Sequence, residues 1–340
     1  MKAARVHEAG KIVIEEVPVP VLRETDVLIQ VHRTGICGTD VGVLHGYIPA
    51  KLPVTLGHEF SGTIAKLGKP GLGGLREGNA VAASGGWGCG VCELCQKGLD
   101  PFCKERVSLG RNTDGCMAEF VKVDYRVVYP LPSNVSLDEG QNLVNLACVV
   151  RGAQKIQSFF GKTVAVFGPG NMGLLMLQLA RMAGALQTVM VGTRDFRLEL
   201  AKRFGANHVV NLRRGNPVQR ILEWYPGGVD IVAEATGIAS SLPDCFEVLK
   251  GQGALVSLGI FSGKIKDFDP SFLYYKEPTI YGSKGAHGAY GMALELLGAK
   301  KFEILPMITH RFPLEETAKG FKTFEDKVEN ALRILIQPTP

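Results

Sequence analysis

Four of the chain's eight cysteines lie within one short stretch, CGVCELCQKGLDPFC. Their spacing, C-x2-C-x2-C-x7-C, is typical of a closed tetrahedral thiolate site for a structural zinc ion, formed by Cys89, Cys92, Cys95 and Cys103. A disulfide between cysteines three residues apart would be strained, so disulfides are expected only if the ion is lost and the thiols oxidise during isolation. Four thiolates leave no open position, and a metal ion held here should not contact a substrate.

A catalytic metal ion needs an open coordination position, and two other segments carry ligands of the right types. The segment RTGICGTDVG contains Cys37 beside Thr39 and Asp40, and PVTLGHEFSG contains His58 followed by Glu59. Taken alone, a single cysteine is more often a small core residue, and a single histidine is more often a satisfied polar group. Their interpretation therefore depends on the elements around them.

A glycine-rich turn provides a candidate dinucleotide site. In VAVFGPGNMGLL the pattern G-x-G-x-x-G follows a predicted strand and opens a helix. Gly168 would make the tight turn, Gly170 would let a pyrophosphate approach the backbone, and Gly173 would let the helix pack on the strand. The phosphates would lie at the N-terminus of this helix, near Asn171 and Met172. A purely structural turn is the alternative.

The end of the next predicted strand, VMVGTRD, bears on the choice of cofactor. An NAD site usually has Asp or Glu there to hold the ribose hydroxyls, and this chain has Gly192. A small residue leaves room for a 2′-phosphate, which Thr193 and the guanidinium of Arg194 could bind, and this favours NADP. NAD is the alternative, because Asp195 could take the ribose role and Arg194 could be a solvated charge.

The elements that must position these residues fall into three segments. Residues 1–152 contain short apolar or alternating runs broken by Gly, Pro and Asn, which predict a β-rich catalytic domain with the cysteine lobe at about 86–106. In residues 153–287, continuous apolar strands such as TVAVFG and VDIVAEATG alternate with helices, which indicates a parallel sheet covered on both faces. Residues 288–340 contain helical stretches and a last strand, NALRILIQP.

The composition excludes several classes of function. Hydrophobic residues make up 46% and charged residues 21% of the chain, and the net charge of +5 is scattered, so no nucleic-acid partner is expected. No run of about eighteen apolar residues occurs, so we expect no membrane-spanning helix. The N-terminus has no apolar segment of the kind a signal peptide needs, which predicts a cytoplasmic protein with reduced cysteines.

Together the motifs resemble those of the zinc-dependent medium-chain alcohol dehydrogenase family, including its sorbitol and threonine dehydrogenase branches. The resemblance covers essentially the whole chain in order and is carried by GICGTD, LGHEFSG, the cysteine lobe, DGCMAEFV, GPGNMG, VDIVAEATG and ITHRFPLEETAKGF. It implies an α/β fold in which a doubly wound parallel Rossmann domain is joined to a partly closed, GroES-like β-barrel. The C-terminal segment is expected to return to that catalytic domain.

The resemblance also implies roles for single residues. Cys37 and His58 would bind a catalytic zinc ion, Glu59 would be the nearby carboxylate that can ligate it transiently, and Thr39 would accept the substrate proton. With the lobe this makes two zinc ions per chain. The implied reaction is reversible hydride transfer between NAD(P) and a small-molecule alcohol, such as a polyol, hydroxyamino acid or secondary alcohol. A homodimer or homotetramer is expected.

Two positions depart from the family pattern. Aligning NLAC with the segment that carries the third catalytic ligand assigns that role to Cys148, whereas counting without a gap lands near Val144, which cannot bind zinc. Ligand chemistry favours the cysteine. Many relatives have a proton-relaying histidine three residues after the position of Thr39, and this chain has Gly42 there. His45 is a candidate substitute, and an exposed loop histidine is the alternative.

Other functions fit parts of the same pattern. A zinc-free reductase of activated double bonds would contain no metal, so metal analysis distinguishes it. An inactive family member acting as a sensor or scaffold would fail on a panel of alcohols. A zinc-ribbon nucleic-acid binder would need basic residues around the cysteines, but the charged residues within the lobe are Glu93, Lys97 and Asp100.

Overall fold

The computed structural model describes residues 1–265 and 268–339, and these form two compact units. The first unit contains Met1–Val144, Tyr290–Lys300 and the chain from Ile304 onward. The second contains Asn145–Ala289 and Lys301–Glu303. The domain limits predicted from the sequence stay predictions. None of the helices in the described ranges combines the length and the apolar character needed to cross a membrane.

The first unit is mainly β-structure. Its strands are β1 Lys2–Glu8, β2 Lys11–Glu16, β3 Asp26–Gly35, β4 Val54–Thr55, β5 Phe60–Leu67, β6 Ala80–Ala83, β7 Gly86–Trp87, β8 Val107–Ser108, β9 Phe120–Asp124, β10 Val128–Pro130, β17 Ile308–Pro313 and β18 Arg333–Gln337. Its helices are α1 Gly38–Leu44, α2 Glu93–Gln96, α3 Leu137–Gly140, α10 Tyr290–Gly298 and α11 Thr317–Asp326. The helix α4, Leu143–Ala153, crosses the division between the units.

In the larger sheet of the first unit, β3 pairs with three other strands. Its strand order is β10-β6-β5-β3-β18-β17, and β9 also pairs with β3. The register shifts twice between β3 and β5, and such bulges bend a strand and increase its twist. The C-terminal strand β18 pairs antiparallel with β3. This confirms the predicted partly closed barrel, and it shows how the end of the chain joins the N-terminal strands.

Two apolar clusters lie in the first unit. Each is formed largely by alternate residues of its strands, because successive side chains of a strand point to opposite faces. One cluster joins β1 and α1 to the C-terminal elements and includes Val6, Leu44, Phe321 and Ile336. The other lies between β3, β5, β6 and β9. Helix α1 is not predicted by the sequence pattern. Its first turn contains an acidic residue, Asp40, as the N-terminus of a helix favours.

The second unit is a parallel sheet with helices. Its strands are β11 Thr163–Phe167, β12 Gln187–Gly192, β13 His208–Asn211, β14 Val229–Glu234, β15 Leu249–Ser257 and β16 Thr279–Gly282. Its helices are α5 Asn171–Met182, α6 Asp195–Arg203, α7 Pro217–Trp224, α8 Leu242–Glu247 and α9 Phe272–Lys276.

The strand order β13-β12-β11-β14-β15-β16, with every pair parallel, is 3-2-1-4-5-6 in the numbering of this unit alone. That is the Rossmann order, so the predicted doubly wound sheet is confirmed. Strands β11, β12 and β14 are almost wholly buried, as parallel strands covered on both faces should be. The edge strand β16 is more exposed than the predicted series of buried strands, because it has one neighbour.

Candidate metal centres and dinucleotide site

Two groups of side chains among the described residues bring three or more metal-ligating atoms together. One group is the lobe cysteines, Cys89, Cys92, Cys95 and Cys103, and the other consists of Cys37, His58 and Glu59. Within each group the ligand atoms all lie within 4.8 Å of one another. Both groups belong to the first unit.

The lobe sulfurs have the spacing of a tetrahedral site. Cys89 Sγ lies 3.9 Å from Cys95 Sγ, and Cys92 Sγ lies 3.7 Å from Cys103 Sγ. A tetrahedron with metal–sulfur bonds of about 2.3 Å has edges of about 3.8 Å, so the four sulfurs fit zinc. All eight cysteines fall in the described residues, and none of them is in a disulfide bond.

Backbone amides around the lobe favour thiolates. Cys92 N–H donates to Cys89 Sγ at 3.3 Å, and Cys89 N–H donates to Cys103 Sγ at 3.5 Å. The backbone N–H groups of Val91 and Cys92 lower the pKa of the Cys89 thiol to about 6. At Cys95 the backbone N–H of Gly90 also lowers the pKa, but burial and the neighbouring thiols raise it to about 12. Because zinc binds the thiolate form, the amide donors favour binding of the ion at Cys89 first of all.

The second group is organised by one carboxylate, Asp40. Cys37 is the N-cap residue of α1, and its backbone N–H donates to Asp40 Oδ2 at 3.0 Å. Asp40 Oδ1 accepts from Gly57 N–H at 3.2 Å and lies 3.0 Å from His58 Nδ1. A carboxylate can only accept, so the proton of this contact is on Nδ1. The Nε2 atom of His58 is therefore the one available to a metal ion, as in metal sites where a carboxylate orients the histidine.

Burial and neighbouring charges set the protonation of these ligands. Burial raises the pKa of the Cys37 thiol, the negative charge of Glu59 raises it further, and the hydrogen bond and charge of His58 lower it in part. Burial lowers the pKa of His58, but the charge and hydrogen bond of Asp40 outweigh it and hold that pKa well above its usual value. A bound metal ion would replace the ligand protons, because cysteine and histidine ligate in their deprotonated forms.

A buried arginine holds the carboxylate of Glu59. Arg333, in β18, is 2% exposed, and its Nη1 donates to Glu59 Oε2 at 2.5 Å. The same guanidinium donates to Gln141 Oε1 and to the backbone carbonyl of Ile36. Glu59 Oε1 lies 3.7 Å from His58 Nε2, so one oxygen is bound by arginine and the other faces the metal-ligating atoms.

The remaining residues predicted for this site are placed differently. Thr39 lies in the first turn of α1, with its Oγ1 atom 3.7 Å from Cys37 Sγ. Cys148 lies in α4 and belongs to the second unit, and the Cys37 group does not contain it. His45 follows α1, and its Nε2 atom lies 2.6 Å from Glu325 Oε1, which ties it to α11.

The glycine-rich turn has the geometry of a dinucleotide cradle. Gly168 has φ +102° and packs against the backbone of Thr236, so a side chain is excluded there. A Cβ at Gly173 would lie 1.9 Å from the carbonyl oxygen of Gly168, which shows how closely α5 packs on the turn. A Cβ at Gly170, the N-cap residue of α5, would meet nothing within 4 Å. This open space beside a helix N-terminus is where a pyrophosphate binds in such folds.

The end of β12 has no room for an acidic side chain. A Cβ at Gly192 would lie 2.3 Å from the ring of Pro169. Thr193 is exposed, Arg194 is the N-cap residue of α6, and α6 begins at Asp195. Burial and the positive charge of Arg194 lower the pKa of Arg197 to about 10, so these two guanidinium groups lie close enough to repel.

Three residues that support the Cys37 group are not predicted from the sequence pattern. Asp40 was noted only as a neighbour of Cys37, and neither Arg333 nor Gln141 was considered. A signal existed for Arg333, because it is a charged residue directly before three apolar residues in the strand RILIQ, and such a residue is rarely buried without a partner. No local pattern marks Gln141, whose role arises from its contact with Arg333.

Two family models match the chain. Residues 23–133 match the alcohol dehydrogenase GroES-like domain, and residues 172–298 match the zinc-binding dehydrogenase domain. The first match includes both groups of metal-ligating residues found in the first unit.

Curated relatives align over almost the whole chain. A sorbitol dehydrogenase of Halalkalibacterium halodurans is 30% identical over 336 residues, covering 98% of this chain and 97% of the relative. A D-arabitol-phosphate dehydrogenase of Enterococcus avium is 31% identical, covering 96% and 93%. Among solved structures, a zinc-binding dehydrogenase of Sinorhizobium meliloti bound to NADP is 30% identical with a TM-score of 0.92, and it covers 99% of each chain.

Proposed function

The chain belongs to the zinc-dependent medium-chain alcohol dehydrogenase family, and on this basis we propose that it oxidises a polyol or other secondary alcohol with NADP at a site built on Cys37 and His58. The activity of the family, zinc-dependent oxidoreduction of an alcohol with NAD(P), is the activity of this chain. The NADP preference, the site residues and the kind of alcohol are the parts proposed here.

One observation carries the proposed site. The ligand atoms of Cys37, His58 and Glu59 lie within 4.8 Å of one another although the first two residues are twenty-one positions apart. Sulfur, imidazole nitrogen and carboxylate oxygen are all zinc ligands. Cys37 and His58 are proposed as permanent ligands, and Glu59 as a transient one, so that one coordination position stays open to the substrate. The lobe cysteines are proposed to hold a second, structural zinc ion with no open position.

The residues around the cluster have separate tasks in the proposed mechanism. A zinc ion held by Cys37 and His58 would supply Lewis acidity toward the alcohol oxygen, and a bound nicotinamide would supply the hydride chemistry. Asp40 fixes the ring of His58 through Nδ1, and Arg333 fixes Glu59 through Oε2. Thr39 Oγ1, 3.7 Å from Cys37 Sγ, accepts the proton of the substrate hydroxyl. Beyond Thr39, the contact of His45 Nε2 with Glu325 Oε1 makes that histidine a poor relay, because its Nε2 is already bound.

Cys148 is proposed as the third protein ligand of the catalytic zinc, on the chemistry of its side chain and its place in the family pattern. The test is the Cys148→Ser variant, in which the zinc content per chain should fall from two toward one and turnover should be lost. A Cys148→Ser protein that keeps two zinc ions and normal turnover would exclude Cys148 as a ligand.

NADP is the proposed cofactor, and three features support it. Gly168, Gly170 and Gly173 form the cradle, Gly192 excludes the acidic side chain that an NAD site needs, and Arg194 follows directly. The cofactor contacts proposed for this unit are Gly168, Gly170, Asn171, Met172, Gly173, Thr193 and Arg194.

The substrate and the assembly are proposed from the relatives. Their names specify sorbitol and D-arabitol phosphate, which are polyols, and a polyol is therefore the proposed substrate class. A homodimer or homotetramer and a cytoplasmic location also stay proposals.

The decisive experiment measures turnover on a panel of polyols, secondary alcohols and hydroxyamino acids with NADP and with NAD, together with the zinc content of the same sample. Two zinc ions per chain, a polyol as the best substrate and a higher kcat/KM for NADP are expected. Fewer than two zinc ions, a better hydroxyamino acid, or a higher kcat/KM for NAD would each refute the corresponding part of the proposal.

A further inference from the structure

The end of β13 and the loop after it bind Asp195, an acidic residue that could compete for the cofactor ribose. Asp195 is the first residue of α6 and lies three positions after Gly192. One of its carboxylate oxygens is engaged by Asn211, the last residue of β13, and the other by Arg214 in the loop that follows. Asn211 Nδ2 donates to Oδ1 at 2.8 Å, and Arg214 Nη2 donates to Oδ2 at 2.6 Å.

The loop is folded so that Arg214 reaches this carboxylate. The backbone N–H of Arg214 donates to the carbonyl of Asn211 at 2.8 Å, and the backbone N–H of Arg213 donates to Asn211 Oδ1 at 2.9 Å. Asn211 thus holds the turn with one side-chain atom and Asp195 with the other. The ion pair of Arg214 with Asp195 therefore joins the loop after β13 to the start of α6, which follows the neighbouring strand β12.

The charge of Asp195 matters for discrimination between the two cofactors. An uncompensated carboxylate beside Arg194 would repel a 2′-phosphate, and it would also be free to accept from a ribose hydroxyl, as NAD sites require. The ion pair with Arg214 removes both effects, and Arg194 and Arg197 then leave this end of α6 positive. Specificity of this kind depends on suppressing the unwanted ligand as much as on attracting the wanted one.

We propose that Arg214 is a specificity-determining residue that favours NADP by neutralising Asp195, so that the carboxylate neither repels the 2′-phosphate nor serves the ribose of NAD. This inference deepens the proposed function, because it rests on the proposed NADP preference. Arg214 acts through Asp195, and it is a positioning residue that need not contact the cofactor.

The test is a double-mutant cycle on the zinc-loaded full chain, with NADPH and NADH as the probes. Dissociation constants are measured by fluorescence titration at one fixed ionic strength for wild type, Arg214→Ala, Asp195→Asn and the double variant. Arg214→Ala should weaken NADPH binding by about threefold to tenfold, because the freed charge repels the phosphate, and NADH binding should tighten, because the freed carboxylate can then accept from a ribose hydroxyl. In the double variant the affinity for NADPH should return to within about twofold of wild type.

Arg203→Ala is the matched control. It removes the same charge from the other end of α6, where Arg203 pairs with Glu303 at 2.6 Å, and both dissociation constants should stay within about twofold of wild type. High salt should shrink the effect of Arg214→Ala, because the groups are exposed and their interaction is screened.

The outcomes distinguish the role of Arg214 from the preference for NADP over NAD on which it rests. A wild-type protein that binds NADH more tightly refutes the NADP preference, and the coupling between positions 195 and 214 is read from the same data. If Arg214→Ala weakens NADPH binding equally with and without Asp195, Arg214 acts on the cofactor directly and the inference is wrong. If it weakens both cofactors equally, Arg214 is a structural residue and the inference is also wrong.

Discussion

The two candidate metal sites in the first unit are assembled in different ways. The lobe takes four identical ligands from one short stretch, and backbone amides of that same stretch donate to its sulfurs. The Cys37 group takes three different ligand types from the start of α1 and from the residues just before β5, and it is held by Asp40 and Arg333. The local group is closed and suits a structural ion, whereas the long-range group has mixed ligands and suits chemistry.

This difference suggests that the lobe has a structural role and that the Cys37 group has a catalytic one. A closed thiolate site stabilises the chain around it. In an open site the ligands leave one position free, so their side chains must be oriented by hydrogen bonds from residues that do not bind the ion. We therefore expect substitutions in the Cys37 group to lower activity and substitutions in the lobe to lower stability.

The largest effect is expected at the open group. Cys37→Ala or His58→Ala removes a ligand of the ion that stabilises charge on the alcohol oxygen, so kcat/KM should fall more than about a thousandfold, or about 4 kcal/mol. Melting temperature should change little, and zinc should fall to about one per chain. The control is Cys245→Ala, a buried thiol in α8 outside both groups, which should keep turnover and both ions. Normal turnover in either ligand variant would refute the catalytic assignment.

The next effect is expected at the lobe. Cys103→Ser replaces a thiolate ligand by a poor one, so one zinc ion should be lost and the free energy of unfolding should fall by about 3–5 kcal/mol, a part of what structural zinc supplies to small domains. Thermal unfolding and metal analysis measure this. Cys116→Ser, at another buried cysteine that lies 3.1 Å from Thr34 Oγ1, should keep two zinc ions. A Cys103→Ser protein with wild-type zinc content and stability would show that the lobe does not bind a structural ion.

The smallest of these effects concerns the support of the open group. Asp40→Asn weakens the contact that orients His58, and the zinc affinity of the catalytic site should fall by about tenfold to a hundredfold. Competition with a chromophoric chelator measures the affinity. Asp138→Asn makes the same substitution at a carboxylate paired with Arg33 and Arg311, and it should leave zinc affinity unchanged. Equal zinc affinity in Asp40→Asn and wild type would contradict the role given to Asp40.

The confirmed predictions, the fold and the family, depend on short-range patterns, and so do the predictions of the lobe and of the glycine-rich turn, which stay predictions of metal and cofactor sites. The parallel Rossmann sheet follows from continuous apolar strands that alternate with helices, and the family follows from motifs whose order along the chain is fixed. The grouping of the four lobe cysteines follows from spacing, because a few residues of chain can bring such ligands together in few ways. The cradle residues Gly168 and Gly173 follow from a turn whose sterics tolerate only glycine.

Other features were decided only by tertiary structure. Cys37 meets His58 because α1 and the residues before β5 pack together, and Glu59 meets Arg333, 274 positions later, because β18 pairs with β3. Asp195 meets Arg214 because a loop after the neighbouring strand folds back to it. Periodicity and spacing state which residues are apolar or can ligate, but not which distant strands will pair, because that choice depends on packing and on loop closure over the whole chain. The sequence alone therefore determined the kinds of site in this protein, and the fold decided which side chains orient them.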